Sequence, residues 1–295
     1  MSSTASDPAV AGPPIVLIHG MWMTPHSWEP WIDHYADRGY HAIAPGWPGI
    51  ESPEQVRRDP SPLRGLGIKS VVDHYDEIIR GIDRPRIIIG HSFGGLFTQL
   101  LLDRGLGAAG VAMGTAPPKG VLVLPASTLR SGLPGLKNPL NRNGLAPLTE
   151  EQFQWRFTNT LRREQSDVIY GEQYVPGTNR AFFEAAYAAL SRSSPAAVDF
   201  RNPARAPLLL IAGEQDHISP PSLSRTILKL QSRAPSATAL KEYAGRTHFM
   251  AGMDGWEEIA DYALNWALEH ARDAGPQATE EAPEQAATSP TSSPG

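Results

Sequence analysis

Apolar residues occur along this chain in two alternating patterns, short continuous runs and longer stretches with helical spacing. The continuous runs predict six strands, at residues 15–19, 41–45, 86–90, 110–114, 208–212 and 239–243. Apolar positions spaced i, i+3, i+4 and i+7 predict helices between them, first through Trp28 and Tyr35 and then over residues 71–79. Strands that alternate with helices are typical of a parallel sheet with helices on both faces.

The alternation stops between residues 116 and 205. Within this stretch, Thr149-Glu-Glu-Gln152 matches a capping box and predicts a helix that continues to Leu161. A second amphipathic helix is predicted over residues 179–190. We interpret residues 116–205 as a helical cap inserted into an α/β core, over the carboxyl ends of the strands.

The junction after the third predicted strand reads Gly-His-Ser-Phe-Gly at residues 90–94. A strand that turns at once into a helix strains the corner residue, and small residues at the two flanking positions leave room for it. The corner side chain, Ser92, then stands clear of the sheet with its hydroxyl exposed. Ser92 is therefore the candidate nucleophile.

A serine in such a turn takes its acid and its histidine from later in the chain. Of the nine histidines, only His217, His248 and His270 follow Ser92. His270 ends the last amphipathic helix, and His217 directly follows the best acid candidate. His248 lies in a loop after the last predicted strand, where catalytic residues of α/β proteins gather, and is the candidate base.

The candidate acid is Asp216, which follows the strand predicted at residues 208–212. From that edge of the sheet its carboxylate can hydrogen-bond His248 and hold the tautomer of the ring. Glu214 is the nearest rival. Because Glu214 is closer to the end of the strand, we expect it to cap the backbone or form a salt bridge instead.

The first strand leads into His-Gly-Met-Trp at residues 19–22. The backbone N–H groups of Met21 and Phe93 are expected to converge on a developing oxyanion, whereas His19 is interpreted as a structural residue of the turn. Other side chains are candidates for substrate binding, with plain core packing as the alternative: Trp22, Met23, Trp155, Phe182 and Tyr187.

These motifs, together with Arg-Thr-His-Phe at residues 246–249, resemble the α/β-hydrolase superfamily and occur in its order over residues 15–270. The resemblance implies a catalytic triad of Ser92, Asp216 and His248, with Met21 and Phe93 as oxyanion donors. Serine at the elbow argues against haloalkane dehalogenases and epoxide hydrolases, whose nucleophile is aspartate.

The expected fold is an α/β fold with a mostly parallel, doubly wound sheet of about six strands and an inserted helical cap. The superfamily usually starts with an antiparallel pair of strands, but residues 1–14 lack strand-forming sequence. We therefore expect the N-terminal hairpin to be missing. The expected organisation is a disordered tail (1–14), the first part of the core (15–115), the cap (116–205), the second part of the core (206–271) and a disordered tail (272–295).

Composition restricts the function further. The 295 residues include no cysteine, which excludes disulfides, a thiol nucleophile and cysteine-ligated metals. The net charge of −5 does not favour nucleic-acid binding. Because the chain lacks a signal-like start and a long apolar run, we expect no membrane span and a cytoplasmic location. A homodimer is compatible with the sequence.

A glycine pattern at residues 105–110 fits Gly-x-Gly-x-x-Gly, the fingerprint of dinucleotide binding. It follows a helix and precedes a strand, which is the reverse of the order that phosphate binding needs. We therefore expect neither NAD nor any other cofactor, and no metal site.

The sequence predicts a serine hydrolase that cleaves a carboxylic ester, lactone or thioester of a small, largely apolar substrate through an acyl-enzyme. Two alternatives remain open. The same scaffold can carry a cofactor-free lyase or a C–C bond hydrolase, and a ligand receptor can keep a vestigial triad.

Overall fold

The computed structural model describes residues 12–121 and 138–273. The strands of these residues are β1 (Ile15–Ile18), β2 (Ala42–Ile43), β3 (Ile87–His91), β4 (Ala109–Met113), β5 (Leu145–Ala146), β6 (Gly177–Thr178), β7 (Leu208–Gly213) and β8 (Thr238–Tyr243). The helices are α1 (Glu29–Ala36), α2 (Pro53–Arg58), α3 (Ile68–Arg80), α4 (Phe93–Asp103), α5 (Glu150–Phe157), α6 (Arg163–Gln173), α7 (Asn179–Ala186), α8 (Pro221–Gln231) and α9 (Trp256–Asp273).

One parallel sheet organises the described residues, with the strand order β2-β1-β3-β4-β7-β8. The predicted six-stranded α/β fold is confirmed, and each strand lies within one residue of its expected bounds at either end except β2, which is shortened to Ala42–Ile43. The expected terminal tails fall mostly outside the described residues. Pro14 already joins the core, because its carbonyl accepts the N–H of Ile87.

Helices cover both faces of the sheet because successive residues of a buried strand point in opposite directions. Ile88 faces the cluster that contains α3 and α4 side chains such as Tyr75 and Phe97. Its neighbours Ile87 and Ile89 face the opposite cluster, with Trp31 of α1 and the inner side of α9. Because the strand is apolar at every position, both of its faces can pack against helices. This produces the doubly wound arrangement.

The cap, defined here as the described residues 138–205, leaves the sheet between β4 and β7. Its helix α5 begins with the expected capping box, in which the Thr149 hydroxyl accepts the N–H of Gln152 and the Gln152 side chain accepts the N–H of Thr149. The helix ends at Phe157 rather than Leu161, and α7 ends at Ala186. Helix α6 and the antiparallel pair β5–β6 were not predicted.

Two glycines give a matched test of how closely β3 packs against α4. A Cβ on Gly90 in β3 would overlap the backbone carbonyl of Gly94, whereas a Cβ on Gly171 inside α6 meets nothing within 4 Å. We expect Gly90→Ala to lower the free energy of unfolding by about 3 kcal/mol or more. Gly171→Ala should raise it by about 0.5–1 kcal/mol, since alanine is the better helix former.

Urea unfolding of the two variants measures both effects. Equal stabilities for Gly90→Ala and the parent protein would contradict the close approach of β3 and α4.

Candidate active site

The turn from β3 into α4 holds Ser92 in a strained backbone conformation, with φ 56° and ψ −117°. Two flanking glycines make the turn possible. A Cβ on Gly90 would overlap the carbonyl of Gly94, and a Cβ on Gly94 would overlap the carbonyl of Ile18 at the end of β1. The glycines of the motif are therefore required by the close approach of three backbone segments.

Ser92, His248 and Asp216 form one chain of hydrogen bonds. His248 Nε2 lies 3.0 Å from Ser92 Oγ, and His248 Nδ1 lies 2.7 Å from Asp216 Oδ2. All three side chains are buried. A proton on Nδ1 that is donated to the carboxylate leaves Nε2 free to accept the serine proton.

The second oxygen of Asp216 is also held. Asp216 Oδ1 accepts the backbone N–H groups of Ile218 and Ser219, each at 2.7 Å. Glu214, the rival carboxylate, is exposed and accepts the N–H of Gly245 at 3.0 Å. The structure therefore brings Asp216 to His248 and leaves Glu214 capping a turn.

A glycine after β4 makes room for this pair. Gly114 has φ +46°, and a Cβ there would lie 3.1 Å from Asp216 Oδ2 and 3.3 Å from His248 Nδ1. The sequence contained this signal, a glycine at the carboxyl end of a strand, but we had interpreted it only as part of the strand.

The turn after β1 lies directly beside the serine. A Cβ on Gly20 would lie 2.7 Å from Ser92 Cβ. The backbone N–H groups of Met21 and Phe93 have no acceptor among the described residues. The structure therefore places two free donors beside Ser92, as an oxyanion site requires.

Backbone strain is concentrated in the turns after β1 and β3. Within residues 12–121 and 138–273, Trp22 (φ 70°) and Ser92 are the non-glycine residues with positive φ. The cap holds Trp22, whose carbonyl accepts the N–H of Val175 and whose indole N–H donates to the carbonyl of Ala146. Such strain persists only where the surrounding structure fixes it, and it is typical of functional sites.

Two further histidines hold the site and act as neutral rings. His91 Nε2 lies 2.8 Å from the backbone carbonyl of His248, and burial, assisted by the nearby His248, lowers the pKa of His91 to about 3. His19 accepts the N–H of Trp47 and stacks on its ring, and burial lowers the pKa of His19 to about 4. Sequence reasoning had assigned no role to His91.

The candidate substrate-binding residues separate into different environments. Trp22 and Phe182 line one cavity of about 180 Å³ between the core and the cap, and Met23 is buried beside His19 and His91. Trp155 lies against His217 in a different, open groove, with the two ring planes tilted by 37°. Tyr187 is 47% exposed and packs on Phe183, so the structure does not bring Trp155 or Tyr187 to the cavity.

One aromatic contact with the base was not anticipated. The ring of Phe157 lies edge-on to His248 at a centroid distance of 5.0 Å, and its carbonyl accepts the N–H of Phe249. The sequence places Phe157 within a predicted helix but does not indicate what its ring touches. The end of α5 therefore rests on the loop that carries His248.

The part of the chain that the structure describes contains no group of three or more His, Asp or Glu side chains that could hold a metal ion. None of its helices is long and apolar enough to cross a membrane. The glycine pattern at residues 105–110 lies between the end of α4 and β4, with its helix before it rather than after it.

A sequence profile described as the alpha/beta hydrolase family matches residues 15–262. The chain belongs to the α/β-hydrolase family. This match places the protein in a family of hydrolases.

The following known proteins are distantly similar to this hydrolase. It is 23% identical over 237 residues to the (E)-2-((N-methylformamido)methylene)succinate hydrolase of Acinetobacter baylyi, an alignment that covers 78% of this chain and 81% of the relative. A monoacylglycerol lipase of Paleococcus ferrophilus has a TM-score of 0.61 at 18% identity, over 87% of this chain and 94% of the lipase.

A thermophilic esterase of Thermogutta terrifontis has a TM-score of 0.60 at 17% identity, over 89% of this chain and 90% of the esterase. At these identities the two structural comparisons show a shared fold.

The two neutral histidines predict how the stability of this hydrolase depends on pH. Their pKa values lie below the ordinary 6.5, at about 4 for His19 and about 3 for His91, so between pH 6.5 and 4 the unfolded chain binds protons that the folded protein does not. The contribution of these two neutral rings to the free energy of unfolding is thus complete above pH 6.5 and is lost as the pH falls. Each histidine contributes a slope of at most about 1.4 kcal/mol per pH unit.

Urea unfolding at pH 7.0, 6.0 and 5.0 measures this slope. His91→Gln should reduce it, and the same change at the exposed His41 is the matched control. A slope that is the same in the parent protein and in His91→Gln would contradict a neutral, buried His91.

Proposed function

We propose that this α/β hydrolase cleaves carboxylic esters of small, largely apolar substrates through an acyl-enzyme, with Ser92 as nucleophile. The observation that carries the proposal is the buried chain of hydrogen bonds from Ser92 through His248 to Asp216, with distances of 3.0 and 2.7 Å. Lactones and thioesters present the same carbonyl chemistry to this site.

In the acylation step, Ser92 Oγ attacks the ester carbonyl while His248 Nε2 accepts its proton. The negative charge that develops on the carbonyl oxygen is stabilised by the N–H groups of Met21 and Phe93. Asp216 stays ionised and stabilises the protonated ring. When the tetrahedral intermediate collapses, the C–O bond breaks and His248 delivers its proton to the leaving alcohol.

In the deacylation step, His248 removes a proton from water, whose oxygen attacks the acyl-enzyme carbonyl. The same two N–H groups hold the second oxyanion. Collapse releases the carboxylic acid and returns the proton to Ser92 Oγ. His91 acts through the backbone of His248, so it positions the base without exchanging a proton.

A second candidate is hydrolysis of a bond other than an ester on the same scaffold. It is supported by the relative from Acinetobacter baylyi, whose named substrate carries an N-methylformamido group on a succinate. The triad and oxyanion donors would act on such a carbonyl in the same way, and kinetic comparison of esters with amides separates the two candidates.

The nucleophile can be tested by covalent labelling. A fluorophosphonate probe should modify the protein once, at Ser92, because His248 lies within hydrogen-bond distance of this serine and can activate it. Ser92→Ala should abolish labelling and lower the turnover of phenyl esters by roughly 10³-fold or more.

Ser166→Ala is the matched control, since Ser166 is equally buried but bonds to Thr158 in the cap. It should be labelled like the parent protein. Labelling that persists in Ser92→Ala would refute the assignment, and labelling without turnover of any ester would favour the receptor alternative.

The two carboxylates after β7 provide a second test. Asp216→Asn keeps the shape of the side chain but removes the charge that holds the His248 tautomer, so we expect kcat to fall by roughly 10³- to 10⁴-fold. Glu214→Gln changes an exposed group that only caps Gly245 and should leave kcat nearly unchanged.

Steady-state kinetics and melting temperatures of both variants should be compared. A severe loss in Glu214→Gln together with a mild effect in Asp216→Asn would show that Asp216 is not the acid of the triad.

A further inference from the structure

Helix α5 of the cap carries a buried cation. Arg156 is only 4% exposed, although arginine is seldom buried without a partner. Its guanidinium carbon lies 5.9 Å from the centre of the Trp22 ring. Burial lowers the pKa of Arg156 to about 10, so the side chain is still charged at neutral pH.

Among the described residues, no acidic side chain forms an ion pair with Arg156, and its guanidinium forms no hydrogen bond with them. Two other arginines of the cap behave differently. Arg163 pairs with Glu150 and Asp167, and Arg180 pairs with Glu184.

Neither the local sequence nor a nearby phenol supplies the missing negative charge. Residues 115–149 contain no Asp or Glu. Tyr174 interacts electrostatically with Arg156, but burial raises the pKa of Tyr174 to about 12 and keeps its hydroxyl protonated. A cation that is mostly removed from solvent and has no counter-charge is unusual in a folded protein, so its presence requires an explanation.

The position of Arg156 indicates what the charge is for. The next residue, Phe157, contacts the ring of His248, and Trp22 directly follows Met21 in the oxyanion turn. Arg156 also lines the cavity of about 180 Å³ between Trp22 and Phe182. Arg156 therefore lines a cavity whose Trp22 wall adjoins the oxyanion turn, and it also borders the open groove beside His217.

Arg156 is the one cationic residue among the described residues that line this cavity, and the remaining lining is neutral: Trp22, Asn138, Asn141, Leu145, Ala146, Pro147, Leu148, Gln152, Asn179 and Phe182. A single guanidinium between neutral walls matches one singly charged, planar group.

We propose that Arg156 binds a carboxylate of the substrate, so that the preferred substrates are esters that carry a free carboxylate, such as monoesters of dicarboxylic acids. The inference rests on the proposed function for the ester, but the anion site can be tested without catalysis.

The first experiment measures binding with Ser92→Ala, which cannot form an acyl-enzyme. Calorimetric titration with malonate, succinate and glutarate should detect binding of at least one of these dicarboxylates. Arg156→Gln in the same background should weaken it by roughly 10- to 100-fold, and Arg156→Lys by less. Arg163→Gln, which removes the same charge from an exposed pair, is the matched control and should bind like the parent.

The second experiment compares two esters of equal length, monophenyl glutarate and phenyl valerate, in which a carboxylate replaces a methyl group. We expect the parent enzyme to prefer the glutarate by at least about 10-fold in kcat/KM, mainly through KM. In Arg156→Gln the ratio of the two kcat/KM values should fall to about 1.

Melting temperature separates ligand binding from a structural role. Without ligand, Arg156→Gln should melt at the same temperature as the parent or higher, because it removes an unpaired buried charge. A lower melting temperature, with dicarboxylate binding and ester preference unchanged, would overturn the proposal.

Equal binding of the dicarboxylates by the parent and Arg156→Gln, no binding by either, or binding of inorganic phosphate in preference to all three dicarboxylates would also overturn it. If dicarboxylate binding depends on Arg156 but fluorophosphonate does not label Ser92, the anion site stands and the ester hydrolase proposal fails.

Discussion

The close approach of backbone segments around the turn from β3 into α4 is the constraint on which the rest of the site depends. At this point a side chain on Gly94 would overlap the end of β1, and one on Gly20 would press on Ser92. Because no side chain intervenes, the turn that carries Met21 lies directly beside Ser92. The same packing strains Ser92, which a well-packed sheet can sustain.

The parallel sheet then brings distant segments to this turn. The carboxyl ends of its strands lie along one edge, so residues that follow β1, β3, β7 and β8 meet although 156 positions separate Ser92 from His248. The cap completes the enclosure, since Phe157 rests on His248 and the carbonyl of Ala146 holds Trp22. An enclosed site strengthens each hydrogen bond within it, and it also makes an unpaired cation such as Arg156 costly unless a ligand neutralises it.

The fold was predictable to the extent that it depends on local patterns. Apolar runs predicted the six strands because strands buried on both faces have no polar positions, and the capping box predicted the start of α5. Helix α6 was not predicted because it has few apolar residues at helical spacing, and the β5–β6 pair was not because two-residue strands leave no periodic pattern. Both are stabilised by neighbouring segments rather than by their own sequence.

Within the site, the sequence by itself determined which residue types stand at the ends of the strands, and this sufficed to select Ser92, Asp216 and His248 as candidates. Only the tertiary structure decided which groups surround them. The hydrogen bond from His91 and the isolation of Arg156 are relations between segments distant in sequence, and they depend on how the cap lies on the core. A linear pattern records the spacing of residues along one element, whereas burial and charge pairing arise only when the elements pack together.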